Sequence, residues 1–405
     1  MADNSAVRYV RPNYWIIYNR DAVFQELVET KAAVLSLKAI PHQRDWVERL
    51  QEIQLKMEVA GTSRIEGAEF TELELETALS PTTSVSELIT RSQRQARAAV
   101  NTYKWISEIP GDRPISTGMI QEIHAHMVRG CDDDHVPPGR FRGPDQNVTF
   151  GQPRHRGCNG GAECEGLMGE LVRALNQEFK GHDPLIQAIA FHYHFAAMHP
   201  FLDGNGRTAR AIEALLLQRA GLRDTAFIAM SNYYYEEKAN YLAVLAQVRA
   251  AGHDLTAFVV FALRGVRIQC ERLNAEITIN VKRAVFRNMM FDLFPRLQTP
   301  RKRVIAQRQI EILKTLLEGE IRINELFRKL ESVYTQKMKA PVPAFLRDLE
   351  SLVHLGAVRA VSTEKSKLVI LRVNLDWPQE VTETDFMRRV KDLPKAKNHE
   401  FMSFT

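Results

Sequence analysis

The chain has 405 residues, of which 45% are hydrophobic and 25% charged, the composition of an ordinary globular protein with room for two or three domains. Its formal net charge of +5 is too small to argue nucleic-acid binding, and its four cysteines are too few for a disulfide scaffold of this size. The sequence has no signal-peptide pattern at its N-terminus and no apolar run near the ~20 residues that span a membrane. We therefore expect a cytoplasmic protein without a membrane partner.

Hydrophobic periodicity predicts that most of the chain is helical. Apolar residues recur at the spacing of one buried helix face. The segments concerned are 24–37, 46–58, 69–79, 86–106, 117–128, 167–179, 184–198, 208–220, 233–249 and 255–291. Asp183 is an N-cap residue followed by Pro184 at the first helical position, and Gly221 is placed to end its helix in the left-handed conformation. A region rich in Gly, Pro and Asp at 131–166 interrupts the helices, and within it 147–150 has strand propensity.

The pattern changes beyond a predicted linker at 293–303, which carries two prolines and a basic cluster. Three helices are predicted at 305–317, 323–330 and 343–352, followed by two strands at 356–361 and 367–373. This is the order of a winged helix. We therefore predict a mainly α protein, with the following divisions: an N-terminal helical region at 1–110, a catalytic core at 111–292, the linker, a winged-helix-like α+β domain at 304–376 and a tail at 377–405 that is disordered beyond Asp392.

The loop between the helices 184–198 and 208–220 concentrates residues that suit a polyphosphate. Gly204 and Gly206 let backbone N–H groups converge on one point, and the N-terminus of the second helix adds partial positive charge. Asp203 would repel a phosphate unless a cation bridged them, which makes it a candidate ligand for Mg²⁺. Arg207 and Arg210 are three residues apart, on one helical face, and their guanidinium groups suit phosphate oxygens.

His199 ends the preceding helix and supplies a group that can take a proton. An imidazole titrates near neutral pH, so it can act as a general base toward a hydroxyl. Alone, each of these features has an ordinary explanation as a turn, a surface histidine or a solvated arginine pair. Their occurrence together within twelve residues favours a Mg²⁺-dependent nucleotidyl transferase.

The segment 199–210 resembles the motif of the Fic family, His-x-Phe-x-(Asp/Glu)-Gly-Asn-Gly-Arg-x-x-Arg, at every specified position, and the similarity extends over about 55–261. The resemblance implies a Fic-type helical core with a β-hairpin flap. It implies a protein adenylyltransferase (AMPylator), which moves AMP from ATP to a Ser, Thr or Tyr hydroxyl and releases pyrophosphate. It implies His199 as the general base and Asp203 as the Mg²⁺ ligand. Gly206, where the kinase-like Doc branch carries Lys, favours AMP transfer.

The resemblance also implies a set of nucleotide contacts. The glycine nest holds the α- and β-phosphates, Arg207 the phosphates, and Arg210 the γ-phosphate. Residues 240 and 241 lie near the adenine and ribose, although a tyrosine stripe at helical spacing is also typical of core packing. The residues implied at the nucleotide are Glu66, Gly204, Asn205, Gly206, Arg207, Thr208, Ala209, Arg210, Asn240 and Tyr241.

A second resemblance concerns 62–67, Thr-Ser-Arg-Ile-Glu-Gly. By spacing alone, Glu66 is an acidic residue on a solvated helix face. The segment resembles, however, the inhibitory motif (Ser/Thr)-x-x-x-Glu-(Gly/Asn) of autoinhibited Fic proteins, with Thr62, Glu66 and Gly67 at the specified places. This implies an inhibitory helix at about 55–67, in which Glu66 pairs with Arg210 and removes the contact to the γ-phosphate.

The segments 138–142 and 147–151 resemble the family's target-docking flap, with Thr149, Phe150 and Gly151 in its second part. The edge of such a hairpin can pair with an extended segment of a protein substrate. An ordinary surface hairpin is the alternative. Relatives often have a proline-rich run where this chain has the glycine-rich 156–161, so the flap positions are loose by one or two residues. Self-modification is a further expectation, with 233–235 among the candidate sites.

Several alternatives stay open. One is an enzyme of the same fold that removes AMP or uses another nucleotide. Another is a DNA-binding regulator that uses the winged helix and the basic residues 301–303. The helix that would read bases, near 344–350, has no excess of basic over acidic residues, so a protein-docking or dimerisation module, including a homodimer, is favoured. His155, Cys158 and Cys164 could ligate a metal, but a loop with reduced thiols is favoured because their spacing matches no common zinc pattern.

Overall fold

The computed structural model describes residues 7–39, 44–80, 82–83, 88, 90–131, 136–151, 153–222, 228–296, 300–335, 339–363 and 366–391. Helices account for most of them, which confirms the mainly α prediction. The chain divides into two compact units, Met1–Ala275 and Glu276–Thr405. The division falls inside one long helix, Thr256–Leu293, whereas the sequence suggested a linker at 293–303.

Helices of the first unit surround the predicted loop. In chain order they are α1 (Arg20–Ala39), α2 (Arg44–Ile65), α3 (Glu72–Leu79), α4 (Arg91–Glu108), α5 (Thr117–Val128), α6 (Ala162–Asn176), α7 (Pro184–Met198), α8 (Asn205–Leu217), α9 (Met230–Glu236), α10 (Lys238–Ala250) and α11 (Thr256–Leu293). Asp183 caps α7 by accepting a hydrogen bond from the backbone N–H of Leu185 at 2.9 Å, as predicted. The helix predicted at 233–249 is instead two helices, which meet at Glu237.

A small sheet lies beside these helices. It consists of β1 (Val7–Arg8), β2 (Thr149–Phe150) and β3 (His155–Arg156), in the order β1-β3-β2. Strand β3 pairs antiparallel with β2 and parallel with β1. The predicted hairpin therefore gains a third strand from the N-terminal segment, so that β2 forms one edge of this sheet.

The core of the first unit is centred on α7, which is buried around almost its whole circumference, as expected for a helix surrounded by other elements. Helix α8 packs along it. Helix α2 crosses α9 at Gly61, where a Cβ atom would lie 2.6 Å from the backbone N of Asn232. Only glycine permits this approach, so α2 is seated directly on α9.

The second unit contains the helices and strands predicted for a winged helix, in the predicted order. They are α12 (Pro300–Glu318), β4 (Ile321–Arg322), α13 (Ile323–Thr335), α14 (Pro341–His354), β5 (Val358–Thr363), β6 (Ser366–Val373), α15 (Trp377–Glu380) and α16 (Glu383–Lys391). The strands form an antiparallel sheet in the order β4-β6-β5.

Two boundaries of the second unit differ from the prediction. Helix α12 begins inside the predicted linker, and α15 and α16 lie in the predicted tail. Trp377 and Phe386 are fully buried, with their rings 5.3 Å from those of Phe286 and Phe294 respectively, so this segment belongs to the core. The tail predicted as disordered beyond Asp392 lies outside the described residues, as do the side chains of 301–303. None of the helices within the described segments is long and apolar enough to cross a membrane.

A buried ion pair joins α12 to α14. Arg308 donates from Nε and Nη2 to the two carboxylate oxygens of Asp348 at 2.6 and 3.1 Å, and the Tyr334 hydroxyl donates to the same carboxylate at 3.0 Å. Both charged residues are less than a tenth exposed. The pair therefore fixes the relative positions of three helices at the centre of the unit.

We expect Asp348→Ala to destabilise the second unit by about 3 kcal/mol, because breaking a buried pair leaves the other charge uncompensated. Hydrogen exchange of α12 and α14 in the intact chain, followed by mass spectrometry, measures the change. Glu311→Gln is the control, since Glu311 pairs with Lys314 at the surface and its loss should cost less than about 0.5 kcal/mol. Equal exchange in the two variants would contradict the role of the buried pair.

Candidate active site

The loop between α7 and α8 has a left-handed residue at each end. His199 has φ 54° and ψ 60°, and Gly204 has φ 75°. A side chain at Gly204 would also place its Cβ 2.8 Å from Cγ1 of Val128, so this position requires glycine. The two turns reverse the chain within six residues and bring the end of α7 to the start of α8.

Asn205 stabilises this reversal from inside. Its Oδ1 accepts a hydrogen bond from the backbone N–H of Phe201, and its Nδ2 donates to the carbonyl of the same residue, both at 2.8 Å. The side chain is 1% exposed. Both polar groups of the side chain are thus used within the loop, and the first backbone N–H groups of α8 have no intrahelical acceptor.

The imidazole of His199 has the tautomer of a base. Its Nδ1 lies 3.0 Å from the carbonyl oxygen of Ala196, and since a carbonyl only accepts, Nδ1 carries the proton. Nε2 is then an unprotonated acceptor. Burial lowers the pKa of His199 to about 4, so the ring is neutral at physiological pH.

A cationic site lies at the start of α8. Arg207 is 2% exposed and donates from Nη2 to Asp203 at 3.3 Å, while its Nε and Nη1 have no hydrogen-bond partner among the described residues. The hydroxyl of Thr208 also lacks one there. Buried donors of this kind normally have an acceptor. Together with the N-terminus of α8 they form a site for an anion with several oxygens.

Asp203 suits a hard cation bound together with phosphate. Its carboxylate is 44% exposed and lies within 3.7 Å of Arg91 as well as Arg207. Mg²⁺ is commonly held by one or two carboxylates, with phosphate oxygens and water as the remaining ligands. One carboxylate beside an anion site fits that donor set. Within the described segments there is no cluster of three or more His, Cys, Asp and Glu side chains for a metal, and this includes His155, Cys158 and Cys164.

The structure brings the predicted inhibitory residues to Arg210. The guanidinium donates from Nη2 to Glu66 at 2.6 Å and to the carbonyl of Thr62 at 3.2 Å, and from Nε to the Thr62 hydroxyl at 2.9 Å. Partial burial acts to raise the pKa of Glu66, but the charge and hydrogen bond of Arg210 hold it below its usual value. The carboxylate also lies over Gly206, since a Cβ atom there would overlap with Oε1 of Glu66.

The predicted flap reaches the catalytic loop through Phe150. Its ring stacks on the imidazole of His199, with 3.8 Å between ring centroids. Thr149 precedes it in β2 and is exposed, and Gly151 follows with φ 73°. The guanidinium of Arg249 lies 6.0 Å from the centre of the Phe150 ring. The edge strand of the sheet is therefore directly connected to the candidate base.

The two residues expected near the adenine lie in different surroundings: Tyr241 is buried and interacts with Arg210, whereas Asn240 is exposed. Tyr241 is 3% exposed, and its hydroxyl is 2.9 Å from Nε2 of His192, so its side chain belongs to the core and packing is the interpretation that the structure favours. Asn240 is exposed and donates to Glu237 at 2.6 Å. Of the candidate self-modification sites, Tyr235 is 38% exposed and the two preceding tyrosines are buried.

Two buried side chains that the sequence did not single out connect the flap to the loop. His124 accepts at Nδ1 from the backbone N–H of Gly139 at 2.9 Å and donates from Nε2 to the carbonyl of Asp203 at 3.0 Å. Burial lowers its pKa to about 4, which keeps this neutral tautomer. Arg142 donates to the carbonyl of His199 at 2.7 Å. The available signal for His124 was its position on the apolar face of α5.

Glu58 was also missed. It lies on α2, and its carboxylate accepts from the Tyr103 hydroxyl and from the backbone N–H of Ser231, both at 2.7 Å. Burial raises the pKa of Glu58 to about 7. The residue connects the predicted inhibitory helix to α4 and α9. A single acidic residue in a charged helix carries no sequence signal for such a role.

Known proteins resemble this chain most clearly around the loop. The profile of the Fic/DOC family matches residues 114–217. The protein adenylyltransferase Fic of Drosophila ananassae is 45% identical over 106 residues, which are 25% of this chain and 19% of that protein. The protein adenylyltransferase fic-1 of Caenorhabditis briggsae is 42% identical over 55 residues, 13% of this chain and 11% of that protein. The chain thus spans about a fifth or less of these curated relatives.

Solved structures share the fold over a longer stretch. A Fic family protein from Desulfovibrio desulfuricans G20 has a TM-score of 0.55 at 20% identity, covering 90% of this chain and 98% of that one. Fic-1 (residues 134–508) from C. elegans has a TM-score of 0.54 at 19% identity, covering 64% of this chain and 74% of that one.

The family profile, the local identity to curated Fic proteins and the shared fold agree with the residues of the loop. Residues 114–217 of this chain form a Fic/DOC family domain.

Proposed function

We propose that this protein transfers AMP from ATP to a Ser, Thr or Tyr hydroxyl of a protein and releases pyrophosphate. The observation that carries the proposal is the buried Arg207, with two unpartnered donor atoms among the described residues, at the start of the helix that follows the loop of the neutral imidazole of His199. An anion site beside a base is what transfer of a phosphoryl-type group requires. The names of the curated relatives, protein adenylyltransferases, support AMP as the group transferred.

The proposed reaction uses each group of the loop once. Nε2 of His199 takes the proton of the hydroxyl, whose oxygen attacks the α-phosphorus as the bond to the β-phosphate oxygen breaks. Arg207 and the N–H groups at the start of α8 bind and orient the phosphates and stabilise their negative charge. Asp203 is the residue that would hold Mg²⁺, which when bound would neutralise charge on the phosphate oxygens.

The flap supports a protein as the acceptor. Strand β3 lies between β1 and β2, so β2 is an edge to which an extended segment could add as a further strand. Phe150 in that strand contacts His199, which brings a paired segment close to the base. A homodimer and self-modification remain predictions.

We infer further that Glu66 inhibits the enzyme. The guanidinium of Arg210 is 2% exposed, and Glu66 and Thr62 accept hydrogen bonds from its Nε and Nη2 in this structure. An inhibited fraction of about 99% requires the closed state to be favoured by only about 2.7 kcal/mol. Breaking a buried arginine–carboxylate pair costs about 3–5 kcal/mol. Because about one third of the Glu66 side chain is exposed, we expect the cost for this pair to lie toward the lower end of that range.

The alternative of DNA binding receives less support from α14. A base-reading helix presents an exposed polar face to the groove. In α14 the buried residues are Ala344, Phe345, Leu346, Asp348, Leu349, Glu350 and Leu352. Arg347 is its one fully exposed arginine or lysine. Docking of a protein or a second copy is the better proposal for this unit, and DNA retention that falls steeply with salt would reverse that choice.

We expect Glu66→Gly to raise incorporation of AMP into the protein itself by at least tenfold, because Arg210 is then free to bind the γ-phosphate. Incubation with α-labelled ATP, GTP, CTP or UTP measures both rate and nucleotide preference. Glu69→Gly is the control, an exposed acid three residues away that should change nothing. Unchanged incorporation in Glu66→Gly would exclude the inhibitory role, and preference for another nucleotide would replace AMP in the proposal.

In the Glu66→Gly background, His199→Ala should lower the rate of AMP transfer by about 10²–10⁴-fold, the usual contribution of a general base. Nucleotide binding, measured by calorimetry, should change little because the imidazole is not part of the anion site. His354→Ala, an exposed histidine of the second unit, is the matched control. Full activity without the imidazole would require another base.

The pH dependence should reflect a histidine with a low pKa. For Glu66→Gly, kcat/KM reports the free enzyme, whose base is active when deprotonated. Its pKa of about 4 predicts a nearly constant value from pH 8 to 6 and a decline only toward pH 4. The charge of the Glu66 carboxylate raises the pKa of His199. Its removal should therefore move the decline of kcat/KM to a still lower pH. A midpoint near the ordinary ~6.5 would show that the ring is solvated.

A further inference from the structure

The guanidinium of Arg142 is a fully buried cation, and the groups that accept its hydrogen bonds are neutral. It is 1% exposed. Nε donates to the carbonyl of His199 at 2.7 Å, Nη1 to that of Gln146 at 2.6 Å, and Nη2 to those of Cys158 and Met198 at 2.7 and 3.3 Å, with the Cys158 thiol at 3.5 Å. Burying a charge is costly unless every donor is satisfied. The carbonyl acceptors have to satisfy this charge in place of a carboxylate, so each must keep its orientation toward Arg142.

Three successive carbonyls at the end of α7 converge on this one residue. The carbonyls of Met198 and His199 accept from its side chain, and that of Pro200 accepts from its backbone N–H at 3.0 Å. In return, the carbonyl of Arg142 accepts from the backbone N–H of Gly161 at 2.7 Å. Arg142 thus holds the first part of the catalytic loop from both its main chain and its side chain.

The carbonyl orientation matters because His199 is in a strained conformation. A residue other than glycine in the left-handed region costs about 1–3 kcal/mol and persists only where surrounding contacts enforce it. The backbone N–H of His199 donates to Phe195 at 3.0 Å, as in any helix end, while its carbonyl turns to Arg142. This turn also keeps Nδ1 within 3.0 Å of Ala196, the contact that leaves Nε2 as the base.

We propose that Arg142 is a positioning residue for the base: its guanidinium holds the backbone of His199 in the left-handed conformation and thereby fixes the tautomer and orientation of the imidazole. The inference rests on the proposed function of His199. A lysine cannot replace Arg142, because one ammonium group on a flexible chain cannot satisfy four carbonyls in fixed directions.

The kinetic test uses Arg142→Lys in the Glu66→Gly background, with Arg173→Lys on α6, an exposed arginine, as the matched control. We expect kcat for AMP transfer to fall by about 10–100-fold, the effect of a reacting group displaced by about 1 Å. The dissociation constant for ATP should change less than threefold. The acid limb of kcat/KM should move up toward pH 6.5 as the ring becomes solvated. An unchanged kcat, or a loss confined to KM, would overturn the proposal.

A second measurement does not depend on how well the variant folds. In Glu66→Gly itself, nitrogen NMR of labelled histidine and arginine should show His199 protonated at Nδ1 and the Nε proton of Arg142 exchanging slowly with solvent. A fast-exchanging Arg142 proton, or an Nε2-protonated His199, would contradict the inference even if kcat fell. If Glu66→Gly transfers no AMP, the proposed function fails, while the NMR result still decides whether Arg142 fixes the tautomer.

Discussion

The constraint on which the site depends is the reversal of the chain between α7 and α8 within six residues. Left-handed conformations at His199 and Gly204 make so short a turn feasible, and packing of α8 along α7 makes it necessary. Neither conformation is favourable for an isolated peptide unless the residue is glycine. The fold therefore has to hold His199 from outside, and the buried side chains of Arg142 and His124 do so by hydrogen bonds to carbonyls of this loop.

The chemistry of the site follows from that reversal. It places the C-terminal end of α7, with the imidazole, opposite the N-terminus of α8, with its free N–H groups and Arg207. The candidate base and the candidate anion site thus lie at the two ends of one short loop. The donors of Arg207 that lack a partner among the described residues are tolerable for the same reason, since the residue is fixed by its helix and by Asp203. Donors without a partner lower the stability of the fold at the position where the proposed anion would bind.

The sequence predicted the features that depend on hydrophobic periodicity or on residue types at fixed spacing. These are the mainly α fold and the contact of Glu66 with Arg210, whereas the roles of the loop residues stay predictions. The sequence did not predict that Arg142 and His124 hydrogen-bond to the loop or that β1 pairs with the flap. These contacts join segments that are distant in the sequence, and local patterns do not reveal them. Tyr241 is a second example of this limit. Its helical spacing could not show whether its side chain contacts a ligand or packs against His192.

The proposed inhibition uses the binding site itself. The Glu66 carboxylate lies over Gly206 and pairs with Arg210, so under the proposed function it would compete with the phosphates of the nucleotide. Inhibition of this kind is competition, and a 100:1 bias lowers the apparent affinity for the productive pose about 100-fold. Thr62 also holds Arg210, and Gly61 seats the same turn of α2 on α9. Displacing the carboxylate alone leaves the Thr62 contacts in place. Full release therefore involves the last turn of the helix as well as one side chain.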